Sequence, residues 1–380
     1  MNHYHNLADR LAAADPTTCR VVTGFDGFVD EMITLVGERR SLDDFTPVAD
    51  IATFGALITA AAGHSSLREI VVTDTHPGGC AVNLADGLAS LGVVVDCFAT
   101  LGDPVHPAFA GIAAKCHGFH SWGRDPGRTL AFEFTDGKLM FSAVTQLADF
   151  TPDHVGELLA DGGFAAACAT ARVIALTDWT LYPHMTAVWR MVLTREFSRL
   201  DRRPDFFIDL VDPSGRSASD IREMAAMLRE FESCGPLTLG LNGNEANILC
   251  RLHGLPPVPH DPSPEETLAQ ALALRGVLGI SRVIIHRIPF AVGAGPNGTR
   301  IQPGPYCANP KKSTGAGDRF NAGCCLALAL GMDDTDVLAL GCASAGYYVR
   351  HARSASHAEL VDFLRHWASG FPAPEAVAEF

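Results

Sequence analysis

The segment at residues 311–323, KKSTGAGDRFNAG, sets a glycine-rich turn, a single acid and a predicted helix start side by side. Gly315, Ala316 and Gly317 carry little or no side chain, so their backbone N–H groups can approach an anion closely. We predict a helix beyond Asp318, whose unpaired N-terminal N–H groups add positive partial charge at the same place. Asp318 can then accept a proton from a hydroxyl that attacks a phosphoryl group. The pattern therefore predicts phosphoryl transfer.

An ordinary loop followed by a helix cap is the alternative for this segment, because Gly and Asp are common at both places. Two better-known phosphate motifs do not fit it. A dinucleotide fingerprint that starts at Gly315 needs glycine at position 320, which is Phe320. A P-loop that ends at Lys312 and Ser313 needs glycine at position 311, which is Lys311.

Three short motifs together resemble one family. Residues 313–320, STGAGDRF, resemble the C-terminal motif of the ribokinase-like (pfkB) carbohydrate and nucleoside kinases. Residues 78–85, GGCAVNLA, are similar to the N-terminal motif of that family, and residues 242–245, NGNE, are similar to its N-x-x-E element. The motifs occur in the family's order and span most of the chain. The resemblance implies a kinase with a ribokinase-like fold.

The resemblance also implies a role for each matching residue. It makes Asp318 the catalytic base, with an anion hole formed by the turn of Gly315, Ala316 and Gly317. It gives substrate contacts to Gly78, Gly79 and Asn83. It assigns the nucleotide and its magnesium ion to Thr314, Asn242 and Glu245. We expect the last two to hold magnesium through water, because this ion keeps much of its hydration shell. A polar strand end, with Glu245 beginning a helix, is the alternative.

Acidic residues follow the first predicted strand, at residues 19–23. Ligands of open α/β sheets bind beyond the carboxyl ends of the strands, so Asp26 and Asp30 are candidates to bind sugar hydroxyls. The family usually has an aspartate one residue closer to the glycine than Asp30 is to Gly24. We expect Asp30 to be the substrate contact, while Asp26 is expected to cap or close the turn and stays a second candidate.

The loop at residues 286–290, HRIPF, departs from the family pattern, which has a glycine-containing turn near the nucleotide. Pro289 has no N–H to offer a phosphate. Arg287 is a candidate phosphate ligand in its place, with a salt bridge to a surface acid as the alternative. By analogy with the family, Tyr347 or Tyr348 would pack beside the nucleotide base.

Composition limits the class of partner. The chain has 380 residues, 47% of them hydrophobic and 19% charged, which is enough to bury a sizeable core. A formal net charge of -14 argues against nucleic acid and anionic membranes as partners, which need basic patches. The first residues lack the basic start and apolar core of a signal peptide. Eleven scattered cysteines without a C-x-x-C pair are typical of a cytoplasmic protein.

Strand-like runs alternate with helical periodicity along the chain, which indicates a parallel sheet covered on both faces. The runs lie at residues 69–72, 93–99, 173–176, 206–210, 237–241 and 282–285. Two alternating runs around Asp136-Gly137 predict a β-hairpin. We interpret this hairpin as part of a lid, with a surface hairpin of no function as the alternative. The expectation is one domain at 1–380, a three-layer α/β/α ribokinase-like fold with a small β lid at about 31–50 and 119–143.

The predicted function is ATP- and magnesium-dependent phosphorylation of a small sugar. Two alternatives stay open. Nucleoside kinases of the adenosine type have the same motifs, and a binding protein of this fold could have lost turnover. Retention of Asp318 with an intact turn argues against the second. A homodimer formed through the lid is possible, although charge on the lid edge could equally prevent it.

Overall fold

The computed structural model describes residues 3–370, so residues 1–2 and 371–380 of the predicted domain 1–380 lie outside the described residues. In this part of the chain fourteen strands form two sheets, and thirteen α-helices pack around them. The strands are β1 (Arg20–Phe25), β2 (Phe28–Arg39), β3 (Phe45–Pro47), β4 (Ile70–Gly78), β5 (Val94–Ala99), β6 (Gly118–Ser121), β7 (Gly127–Phe134), β8 (Gly137–Ala143), β9 (Val173–Thr177), β10 (Asp205–Asp209), β11 (Leu237–Asn242), β12 (Arg282–His286), β13 (Phe290–Gly295) and β14 (Gly298–Pro303). The helices are α1 (His3–Ala13), α2 (Ile51–Ala60), α3 (Cys80–Ser90), α4 (Ala110–Ala113), α5 (Pro152–Leu158), α6 (Gly163–Thr170), α7 (Met185–Arg195), α8 (Ala218–Cys234), α9 (Gly243–Leu252), α10 (Pro264–Leu278), α11 (Ala316–Ala329), α12 (Asp334–His351) and α13 (His357–Ser369).

The larger sheet has nine strands in the order β14-β13-β12-β11-β10-β9-β1-β5-β6. The run from β12 to β6 is parallel throughout, with β1 between β9 and β5. Only β13 and β14 pair antiparallel, at one edge. Parallel neighbours need long crossover connections, and helices supply them here. The predicted mainly parallel sheet is confirmed.

Helices cover both faces of this sheet, which completes the predicted three layers. Along β1, Val22 packs into one hydrophobic cluster and Val21 into another, because successive side chains of a strand point to opposite faces. The first cluster includes residues of α7, α8 and α10, and the second includes residues of α3, α11, α12 and α13. The central strands are buried on both faces, as their apolar sequences predict.

The smaller sheet contains β2, β3, β4, β7 and β8. Helix α2 packs on it through Phe54 and Leu57, which contact a separate hydrophobic cluster of Ile33, Leu35, Val48 and Phe132. Thr135 and Asp136 separate the two hairpin strands β7 and β8, one residue earlier than the predicted Asp136-Gly137 turn. The Asp136 carboxylate accepts a hydrogen bond from the Ile51 amide at 3.0 Å, which ties the hairpin to the start of α2.

The smaller sheet differs from the predicted lid ranges in two ways. β4 lies outside those ranges and was expected in the parallel sheet, but it pairs antiparallel with β2. β6 lies within the range 119–143, but it pairs with β5 in the larger sheet. The reason for the first difference is burial. Most of β4 is exposed or half-buried, whereas a strand inside a parallel sheet needs two buried faces.

Candidate active site

The glycine-rich turn forms the start of α11. Gly315 has a φ of +84°, a conformation that favours glycine, and the helix begins at Ala316. The prediction of a helix that starts beyond Asp318 is therefore wrong by about two residues, and Asp318 lies in its first turn. The Ala316 N–H donates to the Ser313 carbonyl at 3.0 Å, so this amide is already used within the turn. Helix geometry leaves the amides of Gly317 and Asp318 without intrahelical acceptors.

The Asp318 carboxylate is buried beside the substrate-binding motif at the start of α3. It is 8% exposed, and its Oδ2 accepts a hydrogen bond from Asn83 Nδ2 at 3.0 Å. Burial raises the pKa of Asp318 to about 7, with the Asp209 charge adding to the increase and the Arg319 guanidinium opposing it. A carboxylate with this pKa can hold a proton and release it near neutral pH, which suits a general base.

A cavity of about 850 Å³ lies between the smaller sheet and the N-terminal side of α11. We call it the polar cavity, because charged and hydroxyl side chains line much of it. They include Asp30, Asp74, His76, Asn83, Glu133, Lys138, Lys311, Lys312, Ser313, Thr314 and Tyr348. Asp30 and Asn83, two of the predicted substrate contacts, are thus brought to one cavity.

The predicted glycines support these two side chains. A Cβ added at Gly78 would lie 2.5 Å from both carboxylate oxygens of Asp30, so only glycine lets β4 approach Asp30 this closely. Gly79 has a φ of +93° and precedes α3, which carries Asn83. Burial raises the pKa of Asp30, while a hydrogen bond from Thr129 opposes the increase. The two glycines therefore contribute through backbone conformation and close approach, rather than through side chains of their own.

Asp26 is a buried capping residue and does not line the polar cavity. Its carboxylate accepts the amides of Cys80 and Ala81, the latter at 2.9 Å, and the Thr177 hydroxyl at 2.6 Å. The first two bonds satisfy N–H groups at the start of α3. Asp26 therefore caps α3 rather than the turn that follows β1, where the sequence placed it, and with these three donors bound the carboxylate has little capacity left for a sugar.

A second cavity, of about 400 Å³, lies on the other side of the turn. We call it the apolar cavity. Its lining includes Ala316 and Gly317 of the turn, with Ile288, Pro305, Tyr306, Phe320, Ala345, Gly346 and Val349. Ser313 lines both cavities, whereas Thr314 lines only the polar one. Thr314 thus lines the cavity that also contains Asp30 and Asn83, and its nucleotide contact stays a prediction.

Arg287 lies near its expected position, whereas the two tyrosines do not line the apolar cavity. Arg287 lines the apolar cavity, packs against Gly243 and donates to the His260 carbonyl at 3.3 Å. Its place is consistent with a nucleotide contact, and burial lowers its pKa. Tyr348 does not line the apolar cavity; it lines the polar one, and its hydroxyl donates to the Thr314 carbonyl at 2.8 Å. Tyr347 instead stacks on His351 with ring centroids 4.1 Å apart.

Asn242 and Glu245 form a capping box at the start of α9. The two Glu245 carboxylate oxygens accept the Asn242 amide and side chain, both at 2.7 Å, and the Asn242 side chain caps the amides of Asn244 and Glu245. This is the structural alternative that the sequence left open. Direct coordination of magnesium by Glu245 would break the box, so only a water-mediated contact fits.

The electrostatics around Glu245 do favour a cation. Glu245 is 3% exposed, and burial together with the Asp209 charge raises its pKa well above its usual range. A divalent cation between these carboxylates would offset their repulsion. The described residues contain no group of three or more His, Cys, Asp or Glu side chains placed to hold a metal directly. The site therefore fits a hydrated ion.

Asp209 and Asn321 are site residues that the motifs do not include. Asp209 ends β10, and its Oδ2 accepts a hydrogen bond from Asn321 Nδ2 of α11 at 2.7 Å. Its charge affects both Asp318 and Glu245. An acid at the end of a predicted strand was a visible signal for Asp209, by the same reasoning as for Asp30. Asn321 is buried inside a helix and gives no such signal.

A model of the prokaryotic ketohexokinase family matches residues 6–367 of the chain. The chain belongs to this family. A ketohexokinase of Haloferax volcanii is 26% identical over 355 residues, which cover 93% of this chain and 91% of the relative. The recognised ribokinase-like resemblance is confirmed, and the protein is a kinase of the sugar kinase class.

Solved structures give the same fold for this family member. A carbohydrate kinase from Agrobacterium tumefaciens superposes with a TM-score of 0.61 at 17% identity, over 91% of this chain and 97% of that one. A ribokinase from Thermotoga maritima superposes with a TM-score of 0.61 at 14% identity, over 91% of this chain and 99% of that one. A nucleoside kinase from Methanocaldococcus jannaschii gives 0.57 at 13%, over 91% and 98%. Within residues 3–370, none of the helices is long and apolar enough to span a membrane.

Proposed function

We propose that the protein transfers the γ-phosphoryl group of ATP to a hydroxyl of a ketohexose. The family description and the Haloferax volcanii relative both name this substrate class. The lining of the polar cavity supports it, since a ketohexose presents hydroxyls that carboxylate and amide groups bind well. Asp30 and Asn83 are the proposed sugar contacts. Gly78 and Gly79 support them through the backbone.

One observation carries the proposed reaction. The polar and apolar cavities meet at Pro310 and Ser313, which line both, just before the turn of residues 315–318. Asn83 and Thr314 line the polar cavity, and Ala316 and Gly317 of the turn line the apolar one. A phosphoryl group that moves from nucleotide to sugar has to pass this turn. The only buried carboxylate in the turn is Asp318, which is bonded to Asn83.

In this mechanism Asp318 accepts the proton of the attacking sugar hydroxyl as the O–P bond forms. The hydrogen bond from Asn83 orients the carboxylate, and its pKa of about 7 places the ionised form within the physiological range. The amides of Gly317 and Asp318, with the positive end of α11, stabilise the negative charge on the transferred group. Closure of the smaller sheet would exclude water that could otherwise be phosphorylated.

The apolar cavity is the proposed site for the nucleotide base, with Arg287 at its edge toward the phosphates. Asn242, Glu245 and Asp209 are the proposed outer ligands of a hydrated magnesium ion. When bound, this ion neutralises phosphate charge. The protein residues hold its water shell and so keep the phosphates close to the turn.

A nucleoside kinase is the second candidate reaction, and the similar fold of the Methanocaldococcus jannaschii enzyme keeps it in the comparison. A nucleoside would need an aromatic or apolar surface for its base on the sugar side of the turn, and Met32, Phe134 and Met140 offer such a surface in the polar cavity. The family description, which names a ketohexokinase, favours a sugar. A binding protein without turnover does not need an acid with a pKa near 7 beside the turn.

A coupled assay of ATP consumption across ketohexoses, aldohexoses, pentoses and adenosine tests the proposal. We expect turnover with a ketohexose that requires magnesium and disappears in Asp318→Asn. Carbon-13 NMR of the product would identify the phosphorylated carbon. Higher kcat/KM for adenosine than for every sugar would replace the proposal by the nucleoside alternative. ATP binding without turnover on any compound would support a binding protein.

We also propose that two copies pair through their smaller sheets. Within residues 3–370, β4 and β8 are edge strands, and Val72 is 48% and Phe141 51% exposed. Apolar side chains on open strand edges favour pairing with another strand. Light scattering on a sizing column should give twice the chain mass for the wild type and the single mass for Phe141→Lys. A wild-type monomer at micromolar concentration contradicts the pairing.

A further inference from the structure

Arg319 follows the proposed base directly and has a buried, highly connected side chain. That side chain is only 7% exposed. Its Nη2 donates to Asp86 Oδ2 at 2.8 Å, and its Nε donates to the Ser354 hydroxyl at 3.1 Å. The guanidinium also lies over the Tyr348 ring, 4.6 Å from the centroid. One side chain of α11 therefore contacts α3, α12 and the loop that follows α12.

These contacts reach the elements that carry the site. Asp86 lies one helical turn beyond Asn83, the residue that donates to Asp318. The Tyr348 hydroxyl donates a hydrogen bond to the carbonyl of Thr314 at 2.8 Å, and Thr314 is the residue just before the turn. Arg319 thus joins the helix that orients the base to the helix that holds the entry of the turn.

The third guanidinium nitrogen faces the turn itself. Arg319 Nη1 is buried and has no hydrogen-bond acceptor among the described residues. A Cβ added at Gly315 would lie 3.0 Å from Nη1 and 3.3 Å from the Tyr348 hydroxyl. Asp86 and Ser354 therefore satisfy one side of the guanidinium, while the other side directs its charge at the backbone of the turn.

The counter-charge is fixed as well. Asp86 also accepts the Lys115 ammonium at 2.6 Å and the Ser354 hydroxyl at 2.6 Å. With these partners, the positive neighbours lower the pKa of Asp86 despite its burial. The Arg319 guanidinium is planar and bonds to both Asp86 and Ser354, so it has little freedom to rotate. Its position relative to the turn is therefore set by the fold.

We infer that Arg319 is a positioning residue for phosphoryl transfer, which locks the 315–318 turn against α3 and α12 and holds its positive charge beside Gly315, in the turn that carries Asp318. This inference rests on the proposed function of Asp318 as the base. The inference goes beyond that function, because it concerns what fixes the geometry and charge of the turn. Arg319 does not line either the polar or the apolar cavity. Nothing in the three family motifs predicts a role for this residue.

The charge balance at Asp318 supports the second half of the inference. The Arg319 charge lowers the pKa of Asp318, against burial and against nearby acids. The titratable groups whose charges interact with Asp318 are Arg319 of α11, Asp209 of β10, Asp26 after β1, Asp178 after β9, Cys80 of α3 and Tyr348 of α12. His286 of β12 also lies beside the turn, 3.6 Å from a Cβ built at Gly317, and burial lowers its pKa, which favours its neutral form. Arg319 is the one cation in that set.

The test compares two variants with opposite expected signs. The measurement is the pH profile of kcat/KM, whose low-pH side (the acid limb) reports ionisation of Asp318. Arg319→Met removes the cation, so this limb should move to higher pH by about one unit or more. Asp86→Asn removes the counter-charge and keeps the cation, so the limb should move to lower pH. Arg319→Lys keeps the charge but not the two-sided anchor. It should restore the limb and leave kcat reduced, roughly tenfold or more, because the turn is less well held.

Arg353→Met is the matched control. Arg353 lines the adjacent cavity with Arg319, but it is exposed, pairs with Glu359 and lies over Tyr347. Its loss should leave the acid limb and kcat close to the wild type. Melting temperatures of all variants identify any that fail to fold, and Arg319→Lys keeps the test decisive if Arg319→Met is one of them.

A direct titration separates this inference from the proposed function. The carbon-13 resonance of the Asp318 carboxyl, assigned by its loss in Asp318→Asn, reports protonation without substrate. A titration midpoint of Asp318 that rises in Arg319→Met supports the inference. If the acid limb of kcat/KM does not rise with that midpoint, the inference stands and the assignment of Asp318 as the base fails. The inference is overturned by a midpoint and acid limb that stay unchanged in a folded Arg319→Met protein, or by a wild-type kcat in a folded Arg319→Lys protein.

Discussion

The two cavities beside the 315–318 turn differ in chemistry although they share one short segment. The polar cavity lies against the half-exposed smaller sheet, in which β2 and β7 pair in parallel and the other pairs are antiparallel, and acids, an amide and lysines are among its lining residues. The apolar cavity is lined mainly by small and aromatic residues from α11, α12 and the loops near β12 and β14. Under the proposed function, this difference assigns hydroxyl binding to one side of the turn and base binding to the other. Substitutions on each side should therefore affect different substrates.

The largest expected effect on kcat lies in the turn itself, because the proposed reaction takes place there. Asp318→Asn removes the proposed base but keeps an acceptor for Asn83. We expect kcat to fall by roughly 10²- to 10⁴-fold, with ATP and sugar binding retained. Steady-state assays and calorimetric binding of each ligand check this. Turnover like that of the wild type would exclude Asp318 as the base.

Glu245→Gln should weaken the response to magnesium. The glutamine oxygen can still accept the Asn242 backbone amide, so the capping box survives, while the charge and the acceptor for the Asn242 side chain are lost. We expect the magnesium concentration for half-maximal rate to rise by roughly 10- to 100-fold, the usual cost of losing an outer ligand. Magnesium titrations at saturating ATP measure it. An unchanged titration would restrict Glu245 to helix capping.

Asp30→Asn should act only on the polar side. Loss of a charged acceptor for hydroxyls is expected to raise the sugar KM by roughly tenfold or more and to leave the ATP KM unchanged. Asp74→Asn is the matched control, because Asp74 lines the same cavity but is exposed. Equal effects of both variants would mean that general charge, rather than Asp30, determines sugar binding.

Ala345→Phe should act only on the apolar side. The added ring fills space that we assign to the nucleotide base, so the ATP KM is expected to rise about tenfold, with the sugar KM unchanged. Kinetics with each substrate varied in turn give both values. A change in the sugar KM alone would reverse the assignment of the two cavities.

The smallest effect concerns stability and pH. The pKa of Asp318 is raised in the folded state to about 7, so its protonated form is favoured there and stability is lost as pH rises from about 4 to 7. Asp318→Asn avoids this loss. Its melting temperature should exceed that of the wild type by a few degrees at pH 8, with a smaller difference at pH 5. A difference that does not depend on pH would contradict the raised pKa.

Sequence and structure agree best where a motif is local. The glycine turn with Asp318, and the pair Asp30 and Asn83, were identified from residue types and family resemblance, and the structure brings Asp30 and Asn83 to one cavity, with Asn83 bonded to Asp318. The disagreement involves side-chain direction. Tyr348 turns toward the polar cavity, because its hydroxyl bonds to the Thr314 carbonyl across 34 positions. No local pattern encodes such a contact.

The sequence by itself determined the alternation of strands and helices, the glycine-rich turn before α11 and the kinase class, because these depend on residue types at short spacing. Tertiary structure alone decided that β4 joins the smaller sheet, that Asp26 is consumed as a helix cap, and that Asp209, Asn321 and Arg319 surround the base. The physical reason is distance along the chain. Asp86 and Arg319 are separated by 233 positions, and their pairing exists only once α3 and α11 have packed on the same face of the sheet.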